Sequence, residues 1–449
     1  MQPDQIVASP DLGQRTGDPS PSVGDIFREI SDRVESETNK DLLIYVHVPF
    51  CTTKCTFCDW VTDISVTQLR SESSVRKRYV DALCAQISTL GRRLVAIGYT
   101  AKYIYWGGGT PSRLESVELA EIMAALRDSI DLSQVQEHTM ETSPETLSLA
   151  KLQMIRSLGV NRVSMGVQSF DDAELKRAAR GHSASQAEDA FHMIRQAGIG
   201  NVNLDLIVAF PDQQLESVRK SIAKTIELGP DHVTVYIYRP EPETVMARQI
   251  ASGHRAGCSS KDIFEFYNLA ASLLEAAGYH EYSVGYFVKD LKNRFLGEEY
   301  YYAMKGDYVG FGSGATSILG HHKLRNVAGN LHRFIEHPSE FDSCERFSPA
   351  NLEIALPMLR TTLLTEIGID FKNFRRLFGF DFSAVSDHPF LKTLISYYKF
   401  CGTSFVQTNE GLRTSEDTRR NSYITSLSRA YSLPRGRGSD TQKAAPDSH

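Results

Sequence analysis

The chain has 449 residues, 41% of them hydrophobic and 23% charged, and a formal net charge of −6. That balance is ordinary for a globular protein long enough for two domains, and it gives nucleic acid no general electrostatic reason to bind. No apolar run approaches the roughly 18 residues of a membrane helix. Seven cysteines in so long a chain argue against a disulfide framework.

Residues 1–40 read as a flexible polar extension with a short helix around Val23–Val34. No basic region followed by an apolar core opens the chain, so a secretory signal is not expected. Lone thiols then point to the cytoplasm. Leu42–Val48 reads as a strand, Val75–Ile97 as a helix and Tyr103–Trp106 as a strand, followed by GGGTPS and a helical stretch from Ser116. Glu137–Thr142, Arg162–Val167, Asn201–Val208 and His232–Tyr236 continue the strands. Helices over Thr146–Leu158, Asp171–Ala178, Gln186–Ala197 and Leu215–Leu228 separate them.

Strands alternating with helices give an α/β fold with a parallel sheet and right-handed crossovers. Six such units predict a partial, TIM-like (β/α)6 barrel over residues 41–330, with ligands at the carboxyl ends of its strands. Residues 331–431 form a smaller, mainly helical C-terminal domain, and 432–449 have the composition of a disordered tail. The cysteine loop follows the first strand and Gly107–Pro111 the second. Glu141 ends the third, Gln168 ends the fourth, and Asp205 lies within the fifth.

Cys51, Cys55 and Cys58 fall in IYVHVPFCTTKCTFCDW. Three close thiolates can hold an iron–sulfur cluster and leave one iron without a protein ligand. Zinc is the competing reading, but it prefers four ligands. No second cysteine pair exists, and His47 alternates along the strand with Tyr45 and Pro49. Spacing favours the cluster and leaves zinc open.

The stretches YVHVPFCTTKCTFCDW, YWGGGTPS, METSPETL, VSMGVQSFDDAELKRAARGH, NVNLDLIVAFP and DYVGFGSGATS, taken in order, resemble the radical SAM superfamily, and within it the coproporphyrinogen-dehydrogenase-like, or HemN-like, branch. The resemblance runs over about residues 42–430. It implies that Cys51, Cys55 and Cys58 hold a [4Fe-4S] cluster whose open iron binds S-adenosylmethionine (SAM), and that two SAM molecules lie side by side. By the same resemblance, Tyr45 lies near the sulfonium ions and shares the catalytic role with the cysteines. Phe57 packs on adenine or simply fills core. The amides of Gly108, Gly109 and Thr110 approach the SAM carboxylate. Glu141, Gln168 and Asp205 take ribose or amino groups, Ile207 joins the cofactor contacts, and Arg180 reaches inward to carboxylate or ribose. Asn351–Arg419 resembles the branch's winged-helix-like domain; lacking a concentrated basic helix, it is expected to close the barrel mouth.

Three members of the branch compete. The dehydrogenase carries a further cysteine two residues past the third ligand, where this chain has Trp60. The haem chaperone carries His-Asn-x-x-Tyr-Trp before its glycine-rich loop. Here KNRFLGEEYYYAMKG has Asn293 without a preceding histidine, and nothing favours His280, His321 or His322 as substitutes. The class C methyltransferases keep the two-SAM motifs without the haem signature, so the expectation is a C-methyltransferase or cyclopropanase. Its substrate would be a small aromatic or conjugated natural-product intermediate, facing the tyrosines of EYSVGYF and EYYYAM. A reductase or flavodoxin-type electron donor, and a separate methyltransferase for ring closure, complete the expected partners.

Overall fold

A computed structural model describes residues 23–35, 40–59, 72–363, 365, 367–415, 418–420 and 424–425. Trp60, the tail 432–449 and most of the N-terminal extension lie outside the described residues, although a helix does cover Val23–Glu35.

Twelve strands form one mixed sheet. β1 (Asp41–Val48), β2 (Thr100–Gly108), β3 (Glu137–Thr142), β4 (Arg162–Gln168), β5 (Asn201–Val208) and β6 (His232–Ile237) lie parallel, side by side in chain order. Helices Glu72–Ile97, Ser116–Ser129, Leu149–Ser157, Ala184–Gln196 and Leu215–Leu228 fall in the crossovers, and the short helix Asp172–Arg177 joins them after β4. β1, DLLIYVHV, is buried along nearly its whole length, as expected for a strand covered on both faces. The main core gathers these strands and helices, with Trp106 at zero exposure and its indole N–H donating to His138 Nε2 at 2.8 Å.

The sheet continues past the six expected strands at both edges. β7 (His280–Ser283) and β8 (Tyr286–Val288) add antiparallel to β6. β9 (Asp307–Phe311) pairs parallel with β1, and β10 (Thr316–Leu319), β11 (His322–Asn326) and β12 (Phe341–Arg346) follow antiparallel. Runs of three to six residues are too short to declare a period of two.

A second core lies under the C-terminal elements, built from Phe374, Phe378, Phe390, Leu391 and Leu394 with Leu43, Tyr300, Met304 and Tyr308. The last four are contributed by β1, the helix Leu296–Tyr302 and its end, and β9, so the C-terminal layer packs directly on the sheet. Its own small sheet runs β13 (Ile369–Asp370), β15 (Gly411–Thr414), β14 (Phe405–Gln407). Among the described residues no helix is long and apolar enough to cross a membrane.

Candidate functional site

The parallel register sets the loop after β1 beside the loop after β2: His47 pairs with Gly107 and Val48 with Gly108. Gly108 takes φ +105, a conformation side chains resist, and Gly109 and Thr110 then turn back to donate to Val48 O at 2.7 Å and Phe50 O at 2.8 Å. Those two amides are committed within the protein, so the glycine loop braces the cysteine loop rather than offering them to an anion. A Cβ at Gly109 would sit 3.0 Å from Cys51 Sγ and 2.7 Å from Phe50 O, so only glycine fits.

The cysteine loop has almost no regular structure of its own. It hangs on the far end of the helix Asp172–Arg177, which Asp171 caps by accepting from Glu174 N at 3.0 Å. Thr56 N donates to Ala178 O at 3.0 Å, Thr56 Oγ1 to Arg177 O at 3.1 Å, and Thr53 Oγ1 to Ala179 O at 3.2 Å. These are carbonyls that a helix end leaves without partners. Sequence reasoning offered no sign of this anchorage, because the two segments lie over 120 residues apart.

Each cysteine meets one donor. Thr110 Oγ1 approaches Cys51 Sγ at 3.7 Å, Arg180 Nη1 approaches Cys55 Sγ at 3.3 Å, and Lys54 Nζ approaches Cys58 Sγ at 3.9 Å. None of the three forms a disulfide among the described residues. Burial pushes the Cys51 thiol up to about 11, against the Thr110 hydrogen bond. Thiolates facing one hydroxyl, one guanidinium and one ammonium suit a cluster whose negative charge needs compensation. Among the described residues no three His, Cys, Asp or Glu groups gather closely enough for a single metal ion; a four-iron cube holds its thiolates at separate corners. The donor set therefore fits the cluster.

A cavity of about 680 Å³ opens over this loop, within the usual range for small-molecule sites. Every residue assigned to the cluster or to SAM by the resemblance lines it except Tyr45. Tyr45 lies one layer behind, stacked on Tyr105 and bonded to His47 Nδ1 at 3.0 Å. Phe57 lines the cavity while tilting against Phe210 at 5.5 Å, so contact surface and core filling coincide. Gln168 enters the cavity through a register shift between Gly166 and Gln168 and takes φ +72, a strained conformation for a residue with a side chain. Asp205 accepts from Ser164 Oγ at 2.9 Å and Asn203 Nδ2 at 2.8 Å. Burial raises its carboxyl despite those bonds.

Burial also pushes Glu141 up to about 8; Tyr105, which donates to it, pulls the other way, and Asp205 adds to the rise. Arg180 is held by Ser143 Oγ at 3.0 Å and by Gly166 O, while Glu145 accepts from Ser143 Oγ at 2.5 Å and meets His182 Nδ1 at 3.3 Å. Arg180 Nε is buried without a partner, which leaves one N–H for a ligand carboxylate. Replacing Arg180 by Gln removes both a charge and an N–H···S contact. The reduction potential of the reconstituted cluster is expected to fall by tens of millivolts, because the more negative reduced state loses support. An EPR-monitored redox titration reads that shift, and an unchanged potential would separate Arg180 from the cluster.

Several cavity residues lay outside the expected set. Tyr236 and Tyr238 at the end of β6, and Glu298 on the helix Leu296–Tyr302, all face the cavity. So do Tyr282, Tyr286 and Tyr302 from the tyrosine-rich segments.

The family model of the radical SAM superfamily matches residues 45–225. The heme chaperone HemW of Bacillus subtilis is 31% identical over 296 residues, covering 64% of this chain and 74% of that protein. HemW of Escherichia coli is 31% identical over 316 residues, 68% of this chain and 80% of that protein. The oxygen-independent coproporphyrinogen III oxidase of Paracoccus denitrificans is 29% identical and covers 60% and 58%. Coproporphyrinogen III oxidase (HemN) from Escherichia coli shares the fold, with a TM-score of 0.70 over 90% of this chain and 93% of that one, at 21% identity.

These relatives overturn the expected class C methyltransferase and cyclopropanase: they bear the names of the haem chaperone and the coproporphyrinogen oxidase. The cysteine triad, the glycine loop and the acidic and arginine positions all lie within residues 45–225, the part common to the superfamily. They could not separate one member from another. Family membership implies a [4Fe-4S] cluster and SAM, and the chain belongs to the radical SAM superfamily, in its HemN-like branch.

Proposed function

We propose that this chain is a HemW-type haem-binding protein that holds a [4Fe-4S] cluster and SAM on the cysteine loop and takes haem into the cavity above it. The observation that carries this reading is the relationship to HemW, at 31% identity over as much as 80% of that protein. The cavity supports it in kind. Flat aromatic surface comes from Tyr282, Tyr286, Phe295 and Tyr302, and Arg239, Arg294 and Arg360 also line the cavity and suit carboxylate side arms.

When bound, the cluster supplies the electron that cleaves the sulfonium bond of SAM. The chain's own residues do the holding. Cys51, Cys55 and Cys58 ligate, and Arg180 balances charge at Cys55 and offers its free Nε–H to a carboxylate. Glu141 and Asp205 present oxygens to amino or hydroxyl groups from β3 and β5. The C-terminal residues Leu394, Tyr397 and Tyr398 close one side of the cavity and limit water there.

Anaerobically reconstituted protein titrated with ferric haem should bind one equivalent per chain, read from the Soret band, and bind it again when SAM is present. Turnover of coproporphyrinogen with no stoichiometric haem binding would replace this reading with the oxidase. Failure to bind haem at all would end it.

A further inference from the structure

Resting on the haem-binding reading, we infer that Tyr236 is the axial oxygen ligand of the bound haem iron, with Tyr286 and Glu298 carrying away its proton. Among the described residues, neither a histidine nor a methionine lines the cavity, and its only sulfurs are Cys51, Cys55 and Cys58, which the cluster claims. With Lys54 turned to Cys58, oxygen is the ligand class the rest of the lining supplies, and phenolate is an established haem ligand type.

Several tyrosines reach the cavity, and one stands apart. β6 is buried at every position except Tyr236, which is 42% exposed and lines the cavity. Of the other cavity phenols, Tyr238, Tyr282 and Tyr398 are buried. Tyr282 Oη meets His232 Nε2 at 2.9 Å and accepts from Phe295 N at 3.2 Å, and Tyr398 Oη donates to Arg360 O at 3.1 Å. Tyr236 sits within electrostatic reach of Tyr286, whose hydroxyl donates to Glu298 Oε1 at 2.6 Å; burial, with the Asp205 and Glu298 carboxylates, keeps the Tyr236 phenol protonated until iron displaces the proton.

That chain makes ligation balance. The iron–oxygen bond forms as the water or chloride of free ferric haem departs. The Tyr236 proton passes to Tyr286 as the Tyr286 proton passes to Glu298, which ends as the neutral acid. Iron stays ferric and no electron moves. Burial pushes the Glu298 carboxyl up to about 7, against the Tyr286 hydrogen bond, so it accepts a proton near neutrality.

The test adds ferric protoporphyrin IX to the anaerobically reconstituted full chain and records resonance Raman and EPR spectra. Wild-type protein is expected to give the ring modes of an iron-bound phenolate and a high-spin ferric signal. Tyr236→Phe should lose the phenolate modes and bind haem about tenfold more weakly, whereas Tyr103→Phe, on β2 and away from the cavity lining, should keep both. Cluster absorbance and melting temperature report that each variant has folded. Haem bound without phenolate modes, or modes that persist in Tyr236→Phe, would overturn the ligand assignment and leave the haem-binding reading standing. A chain that takes up no haem would overturn both.

Discussion

Cys55→Ala is expected to purify as a folded but colourless chain, with SAM cleavage lower by roughly a thousandfold or more. Cys55 has no stand-in. Cys84, Cys258, Cys344 and Cys401 do not line the cavity, and Cys401 is buried in the C-terminal part of the chain. Folding should survive, because the loop is pinned by Thr53 and Thr56 rather than by the thiol. Only Arg180 Nη1 loses a partner, and it lines a cavity where water can replace sulfur. Iron and sulfide analysis with a 5′-deoxyadenosine assay measures the effect, and Cys344→Ala, on β12, serves as the control that should stay brown and active. Full iron content and turnover in Cys55→Ala would remove the cluster from the account.

Among the parallel strands, β1, β2 and β6 were legible because each carries a dense β-branched or aromatic run. Glu137–Thr142 and Asn201–Val208 fall where expected, and Asp41–Val48 and His232–Ile237 are each one residue longer than read. The edge strands were not legible, since a strand such as Tyr286–Val288 takes its conformation from β6 and not from its own composition. At the site, local motifs identified the groups that approach the cysteine loop, while long-range placement stayed hidden. Nothing in IYVHVPF distinguishes Tyr45, one layer behind the cavity, from a wall residue. Tyr236 reads as one more residue of a buried strand until its exposure singles it out. Glu298 sits in a helix whose buried positions are Gly297 and Tyr300, a pattern too short to tell which acid turns inward. Which branch member the chain resembles was the least legible, because the cluster and SAM motifs lie in the segment shared by the superfamily.

Glu141→Gln is expected to abolish the pH dependence of stability that its site contributes while weakening SAM binding. In the folded chain this carboxyl holds its proton up to about pH 8; in the unfolded chain it releases it near the ordinary value of 4.5. Between those values the folded state binds more protons, so rising pH favours unfolding by roughly 1 kcal/mol per unit. Stability from this group is fully present below 4.5 and is lost as pH climbs through 8. Glu298, raised to about 7, contributes in the same direction. Urea melts of the metal-free chain should therefore show a lower midpoint at pH 8 than at pH 6. Glutamine has nothing to ionise, so the Glu141→Gln chain should show a stability difference between pH 6 and pH 8 smaller by about 2 kcal/mol. Equal slopes in both chains would mean that Glu141 is ionised when folded. The same variant should bind SAM about tenfold more weakly at pH 8, because a neutral amide attracts a cationic amino group less than a carboxylate does. A residue that costs the empty protein stability near neutrality, yet strengthens its hold on a cation, behaves as a group kept for the ligand.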